Sequence, residues 1–326
     1  MGAAKLDETS GSNALPIRLV VVSVRAALRE SRGPKELERP TRRAAGRTLK
    51  TETAVKESAP VEEAFIVFVD MLGFGDLIER DSKGVDELRP VFKSADGLEV
   101  PELDAPDSVG SELADRFTHF HRCLNSARER IQTARAGTVI VFSDSAFFQM
   151  NTLKVATDVA RELMRNLIFR DVPARIGVGY GSFRVLRFMS DASTQVAFHV
   201  SQFLGLGVIR AHAAEQCGAK GMRILLHPEL ELFVEKEAVP RVISVEPTPG
   251  SLPVTKELNY LYESGHPQHM FSGGKDLDAV LVKNVRRMMK GSVPAVHVHY
   301  VETFHALNRM RAQFGRSLYS LNEFLE

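Results

Sequence analysis

Charge of one sign is nearly absent from this 326-residue chain: 42 Lys and Arg stand against 41 Asp and Glu, for a formal net charge of +1. So neutral a chain gives no reason to expect a nucleic-acid or membrane partner. Cysteine is scarce too. Cys123 and Cys217 are the only two; they show no metal-ligand spacing and fall in helical-looking segments. That is the usage of a reduced, intracellular chain, so a cytoplasmic location is expected. No apolar run approaches the length of a membrane span. What is present, 44% hydrophobic and 25% charged residues, is ordinary for a soluble globular protein. The length suits one large domain, or one domain with appendages.

The chain is organised around Phe65-Ile66-Val67-Phe68-Val69-Asp70-Met71-Leu72-Gly73-Phe74. Its Val, Ile and Phe content predicts a strand buried on both faces. Such a strand ends in a charge only if the charge has a task. Asp70, over a Gly-containing turn, either caps the helix that follows or holds a hard cation. A second stretch, Thr138 to Phe148, repeats the design. Ser143-Asp144-Ser145 interrupts two apolar strands and suits a hairpin tip. If the strands are neighbours, Asp70 and Asp144 point into one space, and two carboxylates there repel unless a cation lies between them.

In chain order, residues 1–60 mix Gly, Ala, Ser and Thr with many arginines. They read as a disordered basic tail, with a nucleic-acid arm or an upstream misassigned start (no Met intervenes before Met71) as alternatives. Residues 81–110 read as a surface insertion rich in Asp, Gly and Pro. Ser111 to Ala136 carries Leu113, Phe117, Phe120, Leu124 and Ile131 at helical spacing. His119 and His121 sit two apart on that helix, so they cannot face one metal ion. A second helix is expected over Leu153 to Arg170, then a strand from Arg175. A Gly-rich turn at Gly205-Leu206-Gly207 opens another helix, an arrangement that can turn backbone N–H groups towards phosphate. Two further helices are expected over Asp276 to Lys290 and Ser292 to Phe314. Phe271-Ser272-Gly273-Gly274-Lys275 lacks the spacing of a P-loop. His297 and His299 lack a third ligand and read as structural.

Four motifs in order carry a resemblance. Phe68-Val69-Asp70-Met71-Leu72-Gly73-Phe74 resembles the first metal-binding signature of class III nucleotide cyclases. Phe142-Ser143-Asp144-Ser145 resembles the second, with Ser143 where most members carry Gly. Ala174-Arg175-Ile176-Gly177-Val178-Gly179-Tyr180-Gly181 resembles the family's Arg-Ile-Gly strand. Gly205 to Glu215 resembles the Gly-x-x-Val-Asn-x-Ala-x-Arg helix, but Ile209 replaces its Asn and Ala213 its Arg. Within the family the chain looks most like the bacterial pyrimidine cyclases of the Pycsar antiphage systems. Tyr300 and Thr303 resemble their closing Lys-Tyr-x-x-Thr segment, so the likeness reaches from about residue 62 to about 312.

The resemblance implies an α+β fold: a ferredoxin-like βαββαβ cyclase catalytic domain at 61–235, with a C-terminal helical extension at 236–326 packed on it. It implies two Mn²⁺ or Mg²⁺ ions held by Asp70, Asp144 and the Met71 carbonyl. It implies a nucleotide pocket involving Phe68, Leu72, Gly73, Phe74 and Gln202, with the backbone N–H groups of Leu72, Gly73 and Phe74 around the triphosphate. A head-to-tail homodimer with sites at the interface follows as well. Arg210 is the nearest substitute for the missing transition-state arginine, with Arg184 and Arg223 behind it. Adenylate-forming members read adenine with a Lys and an acid, whose places here hold Ile140 and Gln202. A site built to hydrogen-bond one base discriminates by orders of magnitude, so the loss of both adenine readers argues against ATP. The expected reaction is UTP to 3′,5′-cyclic UMP plus pyrophosphate, an antiphage signal to a cyclic-nucleotide-gated effector. The alternatives are CTP to cyclic CMP, a purine (adenylate or guanylate) cyclase, and a catalytically dead nucleotide-binding module.

Overall fold

β1 (Glu62–Met71) is buried without interruption from Ala64 to Met71. In the computed structural model, which describes residues 62–81, 90–93, 99–101, 111–134, 136–189, 199–262 and 277–325, β1 is the middle of a large sheet. The tail at 1–60 and the stretch Phe271–Lys275 lie outside the described residues. So does most of the 81–110 insertion, apart from a two-stranded ribbon of β2 (Pro90–Lys93) and β3 (Glu99–Pro101).

β5 (Ser145–Met150) and β6 (Ala174–Met189) flank β1, both antiparallel to it. The register sets Phe65 against Met150 and Tyr180, and Asp70 against Ser145 and Arg175. β4 (Gly137–Val141) pairs with β5 as a hairpin. The helix α2 (Glu112–Thr133) leads from β1 towards β4, and α3 (Leu153–Phe169) leads from β5 to β6. Strand–helix–strand–strand–helix–strand in sequence, with β4-β5-β1-β6 in space, is the expected βαββαβ arrangement. Both helices begin at the residues their sequences nominate: Ser111 Oγ accepts from the Ala114 N–H and Thr152 Oγ1 from the Val155 N–H.

Beyond β6 the sheet continues through β8 (Ile224–Leu226), parallel to β6, then β10 (Lys256–Leu258) and β9 (Val242–Ser244). β7 (His199–Leu204) pairs with the outer half of β6. The remaining helices are α1 (Phe74–Arg80), α4 (Leu206–Glu215), α5 (Glu231–Lys236), α6 (Leu277–Lys290), α7 (His297–Ala312) and α8 (Leu321–Leu325). The helix expected from Ser292 starts later, because Pro294 opens a short 3₁₀ turn first.

Alternation along β1 sorts its side chains to two faces. Phe65, Val67, Val69 and Met71 enter the main core with α2, α3, α6 and α7. Ala64, Ile66 and Phe68 enter a smaller cluster with Phe142, Phe147, Phe183 and Ala211. Among the described helices, α4 is the one that packs on that second face of β1 and β6, and glycines let it approach. A Cβ on Gly177 would stand 2.0 Å from the Ala211 carbonyl oxygen, and one on Gly179 2.5 Å from the Ala211 nitrogen.

Buried acids tie the C-terminal helices to the sheet, through Glu257, and to each other, through Asp278. Fully buried Glu257 receives Arg223 and Arg309, and fully buried Asp278 receives Arg311 and Arg316. Thr303 of α7 accepts from the Met222 N–H at 2.8 Å and donates to the His299 carbonyl at 2.7 Å. Such pairs add little net stability against a well-packed apolar alternative, but breaking one strands a buried charge.

Candidate active site

Asp70 is the penultimate residue of β1, 9% exposed. It does not cap α1, whose N-cap position is Gly73 in the left-handed conformation (φ 71°). Of the two readings open from sequence, helix capping is therefore removed. By alternation Asp70 belongs to the second face, with Phe68 two residues behind it. Phe68 is itself packed, its ring 4.5 Å from Phe147 and 5.2 Å from His212 between centroids.

Asp144 occupies the two-residue turn between β4 and β5. The Phe142 N–H donates to the Ser145 carbonyl at 2.8 Å and closes the hairpin. The Met71 N–H donates to the Asp144 carbonyl, also at 2.8 Å. That bond continues the β1–β5 ladder by one residue, since Asp70 already faces Ser145. Two acids 74 positions apart in sequence thus stand at one end of two adjacent strands. Ser143 Oγ donates to Asp144 Oδ1 at 3.2 Å, so the carboxylate is oriented by its own turn.

Of the three amides expected to face phosphate, one is already taken. Leu72 does not offer its N–H: it donates to the Pro173 carbonyl at 2.8 Å, tying the β1 end to the approach of β6. Gly73 and Phe74 remain, and no acceptor among the described residues takes their amides. A left-handed residue before a helix start aims such N–H groups outward together.

Arg210 lies elsewhere. It donates from Nη1 to the Tyr180 carbonyl at 2.9 Å and pairs through Nη2 with Glu229 at 3.6 Å. Tyr180 faces Phe65, not Asp70, so Arg210 sits roughly 17 Å along the strands from the acids of its own chain. Arg223 is committed to Glu257, and Arg184 faces Leu204 on β7. Gln202 stands opposite Leu186 on β7. Its neighbour Phe203 packs against Phe142 and Phe147 at 5.6 and 5.2 Å, so β7 comes back over the second face. Ile140, where adenine-reading members carry Lys, packs on the same apolar cluster.

Two residues that sequence reasoning passed over adjoin the acids. Arg175, the cross-strand neighbour of Asp70, donates to fully buried Glu215 at 2.7 Å and to the Ala219 carbonyl at 2.7 Å. An arginine inside an apolar strand needs a buried acid, and Glu215 was the signal. His121 reaches the Asp144 turn, its Nε2 3.0 Å from the Ser143 carbonyl. His297 and His299 engage the Ser292 carbonyl and the Gly221 N–H.

No group of three or more His, Cys, Asp or Glu able to hold a metal ion gathers among the described residues. The acids at the end of β1 and β5 supply hard oxygen donors only. That set fits Mg²⁺ or Mn²⁺, which take few protein carboxylates and complete their shells with water and substrate phosphate.

No family model matches the chain, and no curated protein matches it. Solved structures with a similar arrangement include the guanylyl cyclase Cya2, at 13% identity and a TM-score of 0.37, covering 62% of this chain and 93% of that one. The adenylyl cyclase CyaB from P. aeruginosa shows 14% identity and a TM-score of 0.36, covering 61% and 95%. A bacterial light-regulated adenylyl cyclase shows 13% and 0.39, covering 72% and 59%. Overlaps this loose transfer neither activity nor substrate to the chain. No described helix is long and apolar enough to cross a membrane.

Proposed function

We propose that this chain is a class III nucleotide cyclase, that UTP is its substrate, and that it works as a head-to-tail homodimer. The observation that carries the reading is the Met71–Asp144 main-chain bond beside the Asp70–Ser145 register. It brings Asp70 and Asp144 to one end of adjacent strands, which supports a shared hard divalent pair.

Cyclisation joins the ribose 3′-oxygen to the α-phosphorus. The bond from that phosphorus to the pyrophosphate oxygen breaks, and the 3′-hydroxyl proton leaves to solvent. Divalent ions held by Asp70, Asp144 and the Met71 carbonyl would acidify the hydroxyl and neutralise the phosphates. The Gly73 and Phe74 amides donate to phosphate oxygens; Leu72 contributes only its place in the core. Arg210 is too far from the acids of its own chain, so it serves a site whose acids belong to a second copy. There it stabilises charge on the leaving oxygens, a donor role worth about 10²–10³ in rate. Exposed Leu204, Leu206 and Ile209, at 52%, 52% and 63%, border Arg210 and give that copy an apolar surface to cover.

The uracil preference rests on the family resemblance in sequence. By alignment with the family, Ile140 and Gln202 take the positions of the adenine readers, and CTP is the next candidate. An antiphage role with a cyclic-nucleotide-gated effector comes from the resemblance to the Pycsar enzymes.

Incubating the protein with each of the four nucleoside triphosphates and Mn²⁺, then resolving the products, tests the reading. Cyclic UMP is expected. Cyclic CMP moves the substrate, a cyclic purine nucleotide overturns the base argument, and no product leaves a binding module. Asp144→Ala is expected to abolish turnover while the protein stays dimeric by light scattering; unchanged turnover removes Asp144 from the site.

A further inference from the structure

We infer that His121 is a positioning residue for Asp144, acting through the main chain of the hairpin turn. The inference rests on the cyclase reading for its catalytic consequence, but not for the contact itself.

The Ser143 carbonyl only accepts hydrogen bonds, so the imidazole Nε2 at 3.0 Å must carry the hydrogen. That carbonyl belongs to the same planar peptide as the Asp144 nitrogen and Cα. Pinning it therefore orients the residue that follows, and rotating it swings the Asp144 side chain. The rest of the turn is held from within the sheet: Phe142 to Ser145, and Met71 to the Asp144 carbonyl. His121 is the tether from outside, carried on α2.

The imidazole is itself fixed. It is 7% exposed, with the Phe117 ring at 4.3 Å and the Phe120 ring edge-on at 5.6 Å. Burial pushes its pKa below the ordinary histidine value, more than the Ser143 bond raises it, so the ring stays neutral. A neutral ring has one donor, and the turn takes it. The sequence hid this role because two histidines at i and i+2 are examined as a metal pair and then dismissed. An ångström of misplacement in a reacting group costs about 10²-fold in rate, so a turn at a sheet end needs such a tether if its acid is catalytic.

His121→Phe keeps the ring and removes the donor; His121→Gln returns an N–H at the Nε2 position. Two readouts separate the inference from the cyclase reading. Hydrogen exchange at the amides of residues 142–146 is expected to quicken about 3–10-fold in the Phe variant, the loss of one net hydrogen bond, and to return towards wild type in the Gln variant. Turnover with Mn²⁺ and the preferred triphosphate is expected to fall about 10²-fold in kcat with KM little changed, and again to recover with Gln. Unchanged exchange in a folded His121→Phe overturns the inference, as does Gln behaving like Phe. If wild type turns over no triphosphate, the cyclase reading falls and the exchange comparison decides alone. Should His121→Phe fail to fold, ¹⁵N spectra of the wild-type ring decide: the Nε2–H tautomer is expected, and the Nδ1–H tautomer overturns the inference.

Discussion

The two faces of the central sheet are built to different standards. One face is closed by α2, α3 and the C-terminal helices into the main core, where Phe148, Ile176 and Leu167 are fully buried. Among the described residues, the other carries α4 on β1 and β6, a small aromatic cluster that Phe203 of β7 joins, and exposed Leu204, Leu206 and Ile209. Asp70 belongs to this thinly covered face, and so do Arg175 and its partner Glu215. Stability is concentrated where the sheet is thickly covered. The polar groups gather where a nucleotide or a second copy would find room.

Substitutions on the two faces should separate these roles. Phe148→Ala, in the thick core, is expected to cost about 3–5 kcal/mol in chemical denaturation. A cost below 1 kcal/mol would mean that the face is not the stabilising one. Gly177→Ala would drive a Cβ against the backbone of α4, and overpacking of this kind costs about 1–3 kcal/mol. The loss should appear in Tm, with α4 the segment that exchanges hydrogen fastest. Ile209→Ala, 63% exposed, is expected to leave monomer stability within about 0.5 kcal/mol but to weaken self-association in sedimentation. The reverse pattern would make α4 an ordinary surface helix.

Acid should act on both faces alike. His121, His212, His227 and His299 have pKa values lowered chiefly by burial. The unfolded chain binds their protons more readily than the folded one, so their contribution is complete above the unfolded value of 6.5. It declines as pH falls below that value and towards the folded ones. Denaturation midpoints between pH 7.5 and 5.5 should fall, and a flat profile would mean these rings are not held neutral.

Much of this was legible before any coordinates. The apolar run of β1 and the Ser-Asp-Ser turn placed both acids at strand ends, because strand propensity and turn chemistry are local signals. The βαββαβ order was what the resemblance of the four motifs to the class III cyclases implied. Three features were not legible, each for a non-local reason. Leu72 loses its N–H to Pro173, and only the approach to β6 reveals that. Arg210 bonds to Tyr180 because α4 lies along the glycine side of β6, a packing distance that no motif encodes. His121 meets Ser143 across the gap between a helix and a hairpin.

The central claim is that each site takes its acids from one copy and its arginine from another. Co-expressing Asp144→Ala with Arg210→Ala, each inactive alone, tests it most directly. Random pairing makes about half of the dimers mixed, each with one intact site, so about a quarter of wild-type cyclic-nucleotide production should return. Mixed dimers that form but stay as inactive as either parent would contradict the claim.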